Sequence, residues 1–411
     1  MIKTSTHTTK FSNVGKINYI DSLLRECTSV LQWYVTYIWK EYVLTDTQLP
    51  KFISTKGLAL PENNLSSRLH KCLSTQAIGI VKAACIKNQQ RKYINKKLNK
   101  NIELSKMSCP QLGEIHPIEL NSICVEYIKS TSSFDGFIHL KSLNPKGNKN
   151  PKYPKKGIFV PIRMHKHANI LKDMSSTGMP QTSFLINPKS IDIRWDLPEK
   201  PVQKKSKKDN IIGADQGIKK VLVLSDGQMT TSCPHGHDFT SIIKSLSRKK
   251  KGSKSFLKAQ AHRKNYIHWS LNQLDLSGIQ ELRLEKIHQM RTGKRTSRFL
   301  AHFTYTTTKQ KLISLCKQNG VRFVEVPNRY RSQRCFECGF VHKQNRKLES
   351  YECSSCGTCE DADLNAAKNI SLDLCTIPSF VSNEKLNHST GFYWLEKSVI
   401  RCSDITVPDV N

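Results

Sequence analysis

Two short stretches carry soft metal ligands at regular spacing. "RCFECG" supplies Cys335 and Cys338, "CSSCG" supplies Cys353 and Cys356, and fourteen residues separate the pairs. A tetrahedral zinc site needs four soft ligands, and each C-x2-C turn brings two thiolates to one point. The intervening "GFVHKQNRKLESYE" has too little apolar content to fold by itself, which favours ligation over unligated loop cysteines. Cys359 forms a third, overlapping pair and could compete; the Gly after each second cysteine repeats one knuckle and favours Cys356. Four thiolates leave no open position for water, so one Zn²⁺ is expected in a structural role. A second group consists of acids far apart in sequence: Asp215 ends an apolar strand, Glu285 ends a later one, and Asp363 opens a helix. Two Mg²⁺ ions held by such carboxylates would activate water and stabilise the leaving oxygen of a phosphodiester. Singly, each acid has a plain structural role as turn residue, strand end or helix N-cap. Asp363 is expected to cap its helix as well as bind metal.

These residues need particular elements to hold them. Apolar residues at helical spacing predict helices over Lys16–Tyr42 and Asn63–Tyr93, with the aromatics as core. From about residue 117, "SICVEYI", "GFIHL", "GIFVPIRM", "SFLINP" and "SIDIRWDL" read as strands of a small β-domain reaching about residue 200, followed by an exposed linker. From Ile211 the pattern predicts three strands, a basic helical pair at about 240–275, and the strand "GIQELRLEKIHQM". A helix from about Thr296 to Asn319, the strand "GVRFVEVP", the cysteine module and the closing helix "DLNAAKNISLDL" follow. That order is the order of a ribonuclease H-like domain, and it places all three acids at strand ends and one helix start.

The charge agrees with a polyanionic partner. Among 411 residues, 65 Lys and Arg face 33 acids, for a formal charge of +32. Basic blocks at 91–101, 146–156, 204–208 and 247–258 are spread along the chain, as contacts to a long duplex would require. The sequence shows no transmembrane run, lipidation motif or signal peptide, so no membrane partner is expected. Fourteen cysteines without a secretory signal point to a reducing compartment. "CPHGHDF" places Cys233, His235 and His237 in what reads as an exposed turn, structural or incidental. No GxxxxGK loop occurs, which argues against an NTPase, and no motif supports Ser-His-Asp catalysis.

Taken in order, "GADQGIKKVLVLSDG", "LRLEKIH", "SQRCFECG", "CSSCG" and "DADLNAAKNI" resemble TnpB, the transposon-associated RNA-guided nuclease, and the related compact type V CRISPR effectors. The resemblance is detailed over about residues 211–373 and holds in outline before that. Ala362 between Asp361 and Asp363 is similar to the CRISPR-associated branch, while Lys286 and Arg331 depart from the usual pattern. The resemblance implies a multidomain α+β protein. Its parts would be a first wedge strand (1–15), a helical recognition lobe (16–116), a β-barrel wedge domain (117–200) and a linker (201–210). A RuvC-like α/β core (211–328) with an inserted zinc ribbon (329–360), a closing helix (361–376) and a C-terminal tail (377–411) would follow. It further implies a RuvC-like site of Asp215, Glu285 and Asp363 with two Mg²⁺, a guide RNA, a double-stranded DNA target beside a short flanking motif, and a cytoplasmic or nucleoid location. Nucleic-acid contacts are expected from Lys249, Lys250, Lys251, Lys254, Arg331, Ser332 and Gln333. Two alternatives stand beside RNA-guided cutting: an RNA-guided repressor that binds without cutting, and a zinc-ribbon DNA-binding protein without RNA. Neither the oligomeric state nor the choice between transposon and CRISPR association is set by any motif.

Overall fold

In the computed structural model the chain divides into two units, Met1–Pro198 and Glu199–Asn411. The structure describes residues 1–54, 57–97, 104–141, 157–202, 210–217, 219–287, 302, 304–377 and 391–401. The basic blocks at 146–156 and 204–208 lie outside these residues, as do most of the expected linker, the expected helix start at 296–301, and much of the tail.

The first unit opens with β1 (Ile2–Thr8) and α1 (Val14–Ile38), which Asn13 caps by accepting the Lys16 amide before the helix runs on into a π turn, Trp39–Val43. The next helix is α2 (Ser67–Lys97). Leu23, Leu24, Leu31 and Ile38 of α1 recur on one stripe and join Leu69, Leu73 and Val81 of α2 in one core, together with Tyr34 and Trp39. Then come β2 (Ile118–Leu120), β3 (Val125–Lys129), β4 (Gly136–Leu140), β5 (Ile158–Ile162), α3 (Lys166–Met174), β6 (Phe184–Ile186) and β7 (Ser190–Asp196). They form an antiparallel sheet in the order β1-β7-β6-β2 and a second in the order β3-β4-β5. Inward residues such as Ile138, Val160, Phe184, Ile193 and Trp195 share the core of α1 and α2, so helices and sheets are one hydrophobic body.

The second unit is built on a mixed sheet. Its strands are β8 (Ile211–Asp215), β9 (Val223–Leu224), β10 (Glu281–Lys286) and β11 (Arg322–Pro327), in the order β11-β10-β8-β9. β10 runs parallel to both β8 and β11, and β9 is antiparallel. The third strand expected after Asp226-Gly227 is only a bridge between Val223 and Met229, because the tight turn returns the chain for just a few residues. Between β9 and β10 lie α4 (Phe239–Ser247) and α5 (Lys254–Asn272), and α6 (Tyr305–Asn319) precedes β11. Leu282 and Leu284 of β10 point to the side of these helices, where Ile243, Ile267 and Leu312 complete a second core.

The cysteine segment follows, with β12 (Phe340–Val341), β13 (Arg346–Lys347), β14 (Ser350–Glu352) and β15 (Cys359–Asp361), then α7 (Ala362–Ser371). The tail adds the hairpin β16 (Phe392–Trp394) and β17 (Val399–Arg401), which extends the sheet of β12 in the order β12-β16-β17. No helix among the described residues is long and apolar enough to cross a membrane.

Candidate active site and metal centre

Position β8 carries Gly213 against α7. A Cβ there would stand 2.0 Å from the Ala367 carbonyl, so only glycine lets the helix lie directly on the strand. Ala366 and Ala367 on α7 are both buried. This close approach brings the start of α7 to the end of β8, and β10, hydrogen-bonded to β8, ends alongside. Asp215, Glu285 and Asp363 therefore line one cleft of about 400 Å³, together with Gln216, Lys219, Asn328, Ser332, Arg346 and Leu348.

The carboxylates disturb one another. Asp215 is held well above the usual carboxylate pKa, first by burial, then by the charges of Glu285 and Asp363. Burial also raises Glu285, against stabilising hydrogen bonds from the Gln216 backbone and Asp215. The cation that pairs with the triad is Arg346 on β13, whose Nη2 lies 2.6 Å from Asp363 Oδ1; Lys219, also on the cleft wall, pairs with Glu349. Pattern reading missed Arg346, because an arginine in a Lys/Arg-rich ribbon loop has no signature. The helix cap differs from expectation too. Asp361 accepts the amides of Asp363 and Leu364 at 3.0 and 3.1 Å, leaving Asp363 in the first turn with its side chain directed to the cleft. Lys220 holds Asp361 Oδ2 at 2.8 Å.

The four thiols converge. The Sγ atoms of Cys335, Cys338, Cys353 and Cys356 all lie within 4.8 Å of one another, with Cys335–Cys356 and Cys338–Cys353 at 3.6 Å. Each pair sits on the same knuckle: Gly339 and Gly357 take φ of 79° and 76°, and their amides bond back to the carbonyls of Cys335 and Cys353. Cys359 is exposed and turns its thiol to the Gly357 carbonyl, outside the group. Four free thiols at this separation are the donor set of a closed tetrahedral site for a soft divalent metal such as zinc. Cys233, His235 and His237 form no such group; the His237 ring lies edge-on to His262 at 4.9 Å.

Two asparagines join the ribbon to the helix. Asn365 and Asn369, one turn apart on α7, are both buried and both donate to the Arg334 carbonyl. Asn365 also accepts the Phe336 amide, and Asn369 accepts Arg334 Nη1 at 2.6 Å. Arg331, expected at a nucleic-acid surface, is instead 5% exposed. Its guanidinium bonds the carbonyls of Pro327, Asn369 and Leu372, closing the C-terminal end of α7, and burial lowers its pKa to about 10. Ser332 faces the cleft, whereas Gln333 gives its carbonyl to the ribbon, accepting from Asn345 and Tyr351. Lys250, Lys251 and Lys254 are exposed at the turn between α4 and α5, with Lys249 half-buried beside them.

Comparison with known proteins agrees with the class that the motifs resemble. Residues 305–370 match the family model described as the Cas12f1-like TNB domain. The chain is 28% identical over 155 residues to the CRISPR-associated endodeoxyribonuclease Cas12f1 of Sulfoacidibacillus thermotolerans, covering 38% of this chain and 36% of that protein. It is 31% identical over 105 residues to the protein of the same name from Syntrophomonas palmitatica, covering 18% of this chain and 21% of that protein. The chain thus spans about a third or less of the length of these relatives. Among solved structures, a Cas12f1–sgRNA–target DNA complex aligns over 90% of this chain and 98% of that one, at 15% identity and a TM-score of 0.43. CasPhi-2 (Cas12j) bound to crRNA aligns over 90% and 97%, at 9% identity and a TM-score of 0.48. The similarity to compact type V effectors and TnpB-like nucleases read from the motifs is shown by the family and relative matches.

Proposed function

We propose that this chain is an RNA-guided DNA endonuclease that hydrolyses phosphodiesters at the cleft of Asp215, Glu285 and Asp363. The observation that carries the reading is the convergence of these three acids, from two strand ends and a helix start, on one cleft. The mixed sheet with α7 packed upon it supports a ribonuclease H-like (RuvC) core. The first unit would supply the recognition lobe and wedge, and the relatives' name, endodeoxyribonuclease, supports DNA as substrate.

Among the described residues only the four cysteines bring their ligand atoms within 4.8 Å of one another; the three carboxylates line a shared cleft with room for hydrated ions, and two Mg²⁺ ions there would offset their mutual repulsion. Bound there, Mg²⁺ would supply activation of water and charge stabilisation of the leaving oxygen. Arg346 neutralises Asp363 in the metal-free cleft and offers a planar guanidinium suited to a phosphate oxygen. Ser332 and Asn328 line the same wall with hydrogen-bonding groups. Cys335, Cys338, Cys353 and Cys356 would hold one structural Zn²⁺. Guide RNA pairing would supply sequence specificity, with Lys250, Lys251 and Lys254 among the phosphate contacts.

Substituting Asp215→Ala tests the reading. Cutting of a DNA matched to the guide should be lost, while guide-dependent binding by gel shift stays near wild type. Joint loss of binding and cutting would make Asp215 structural. Binding without cutting in the wild type itself, in Mg²⁺, would favour a repressor.

A further inference from the structure

The hairpin of β13 and β14 closes with a two-residue loop, Leu348-Glu349, between the pairs Arg346–Tyr351 and Lys347–Ser350. Leu348 has φ of 59°, and Glu349 is not among the residues of positive φ. Loops of this length with a positive φ at the first central residue take glycine there, because any Cβ is crowded. This chain uses leucine, and the side chain recovers nothing by packing. It is 90% exposed, ahead of Phe52 at 76% and Val14 at 71% among the described large apolar residues. A lone exposed leucine is ordinary; one in a glycine position at the lip of the acid cleft is not explained by folding.

The loop is fixed on both sides. Arg346 holds Asp363 at 2.6 Å, Lys219 holds Glu349 at 2.6 Å, and the Glu349 carbonyl accepts the Ala362 amide at 2.8 Å. Leu348 is thus an apolar group presented to solvent beside the three carboxylates by a tip tied to the helix that carries one of them.

We propose that Leu348 is a positioning residue: its side chain packs on a nucleobase of the strand entering the cleft and so selects which phosphodiester meets the carboxylates. Apolar side chains placed against base steps act in this way where a nucleic acid must be held out of regular stacking. The inference rests on the nuclease reading. A strand threaded through the cleft would pass the cations Arg346 and Lys219 on its backbone side, and the face left to be fixed is the apolar one.

Leu348→Gly, Leu348→Asn and Leu348→Met separate positioning from folding. Glycine and asparagine both suit the left-handed backbone and lack the apolar side chain, whereas methionine keeps it. The guide-loaded complexes are assayed for KM, kcat and cut position on end-labelled DNA, with melting temperature alongside. The Gly and Asn variants should melt at or above wild type, yet show KM raised about tenfold and cuts spread to neighbouring bonds, with Met near wild type; tenfold is what one lost apolar contact of this size carries. Wild-type KM and an unchanged cut bond in the Gly and Asn variants would overturn the proposal, as would a fall in their melting temperature. If the wild type does not cut, or Asp215→Ala cuts equally well, the nuclease reading fails and takes this one with it.

Discussion

Asp215 sits where its own charge is disfavoured. Burial removes water from the carboxylate, and Glu285 and Asp363 add like charge that the single guanidinium of Arg346 offsets only in part. If the cleft holds cations as proposed, it is without them a source of instability. Asp215→Asn should therefore raise the melting temperature of the Mg²⁺-free protein while abolishing cleavage; each kcal/mol of relieved repulsion would appear as about 2–4 °C in a unit of this size. Thermal melts without added Mg²⁺ and without chelator, so that the ribbon keeps its zinc, wild type against variant, check it, and an unchanged or lowered midpoint would show that the carboxylate is accommodated without Mg²⁺. Asp215 and Glu285 were legible as strand ends. Asp363 was legible as a helix start but not in its local role: Asp361, two residues earlier, takes the capping bonds and frees Asp363 for the cleft.

Helix α7 explains why the "NAAKNI" stretch has its composition. The Ala367 backbone lies directly on Gly213 of β8, both alanines are buried, and the two asparagines satisfy Arg334 and the first cysteine knuckle. One helix thereby fixes both the acid cleft and the cysteine cluster. Cys353→Ser should lose one equivalent of zinc and unfold the ribbon at lower temperature, because metal binding there is folding energy. Zinc content by mass spectrometry and a thermal melt test this, and full zinc with an unchanged midpoint would refute the ligand set. Most strands were legible because alternation is a local signal, as in "GFIHL" for β4 and "SIDIRWDL" for β7. The paired glycines of the knuckles were legible for the same reason. Three features were not. β2 has three residues and α3 nine, too few for periodicity to register. The hairpin of β16 and β17 owes its place to Arg334 donating to the Trp394 carbonyl and to pairing with β12, contacts spanning up to 60 residues. Arg331 was misjudged for a related reason, since a buried arginine serving carbonyls reads the same in sequence as one serving phosphates.

At the scale of the molecule, a formal charge of +32 is far more than folding requires. The excess runs through both units, and a polyanionic partner is the reading it favours. Under the proposed function, a guide RNA would partly neutralise the protein, and a DNA target read by pairing with it would use that charge for backbone contacts rather than for sequence. The most direct measurement is to express the protein together with its native flanking DNA, wash at high salt, and sequence the RNA that copurifies. The account predicts a discrete RNA ending in a variable segment, whose sequence programs Mg²⁺-dependent cutting of matching DNA. Protein free of RNA that still grips DNA would contradict it, and would leave a zinc-ribbon DNA-binding protein in its place.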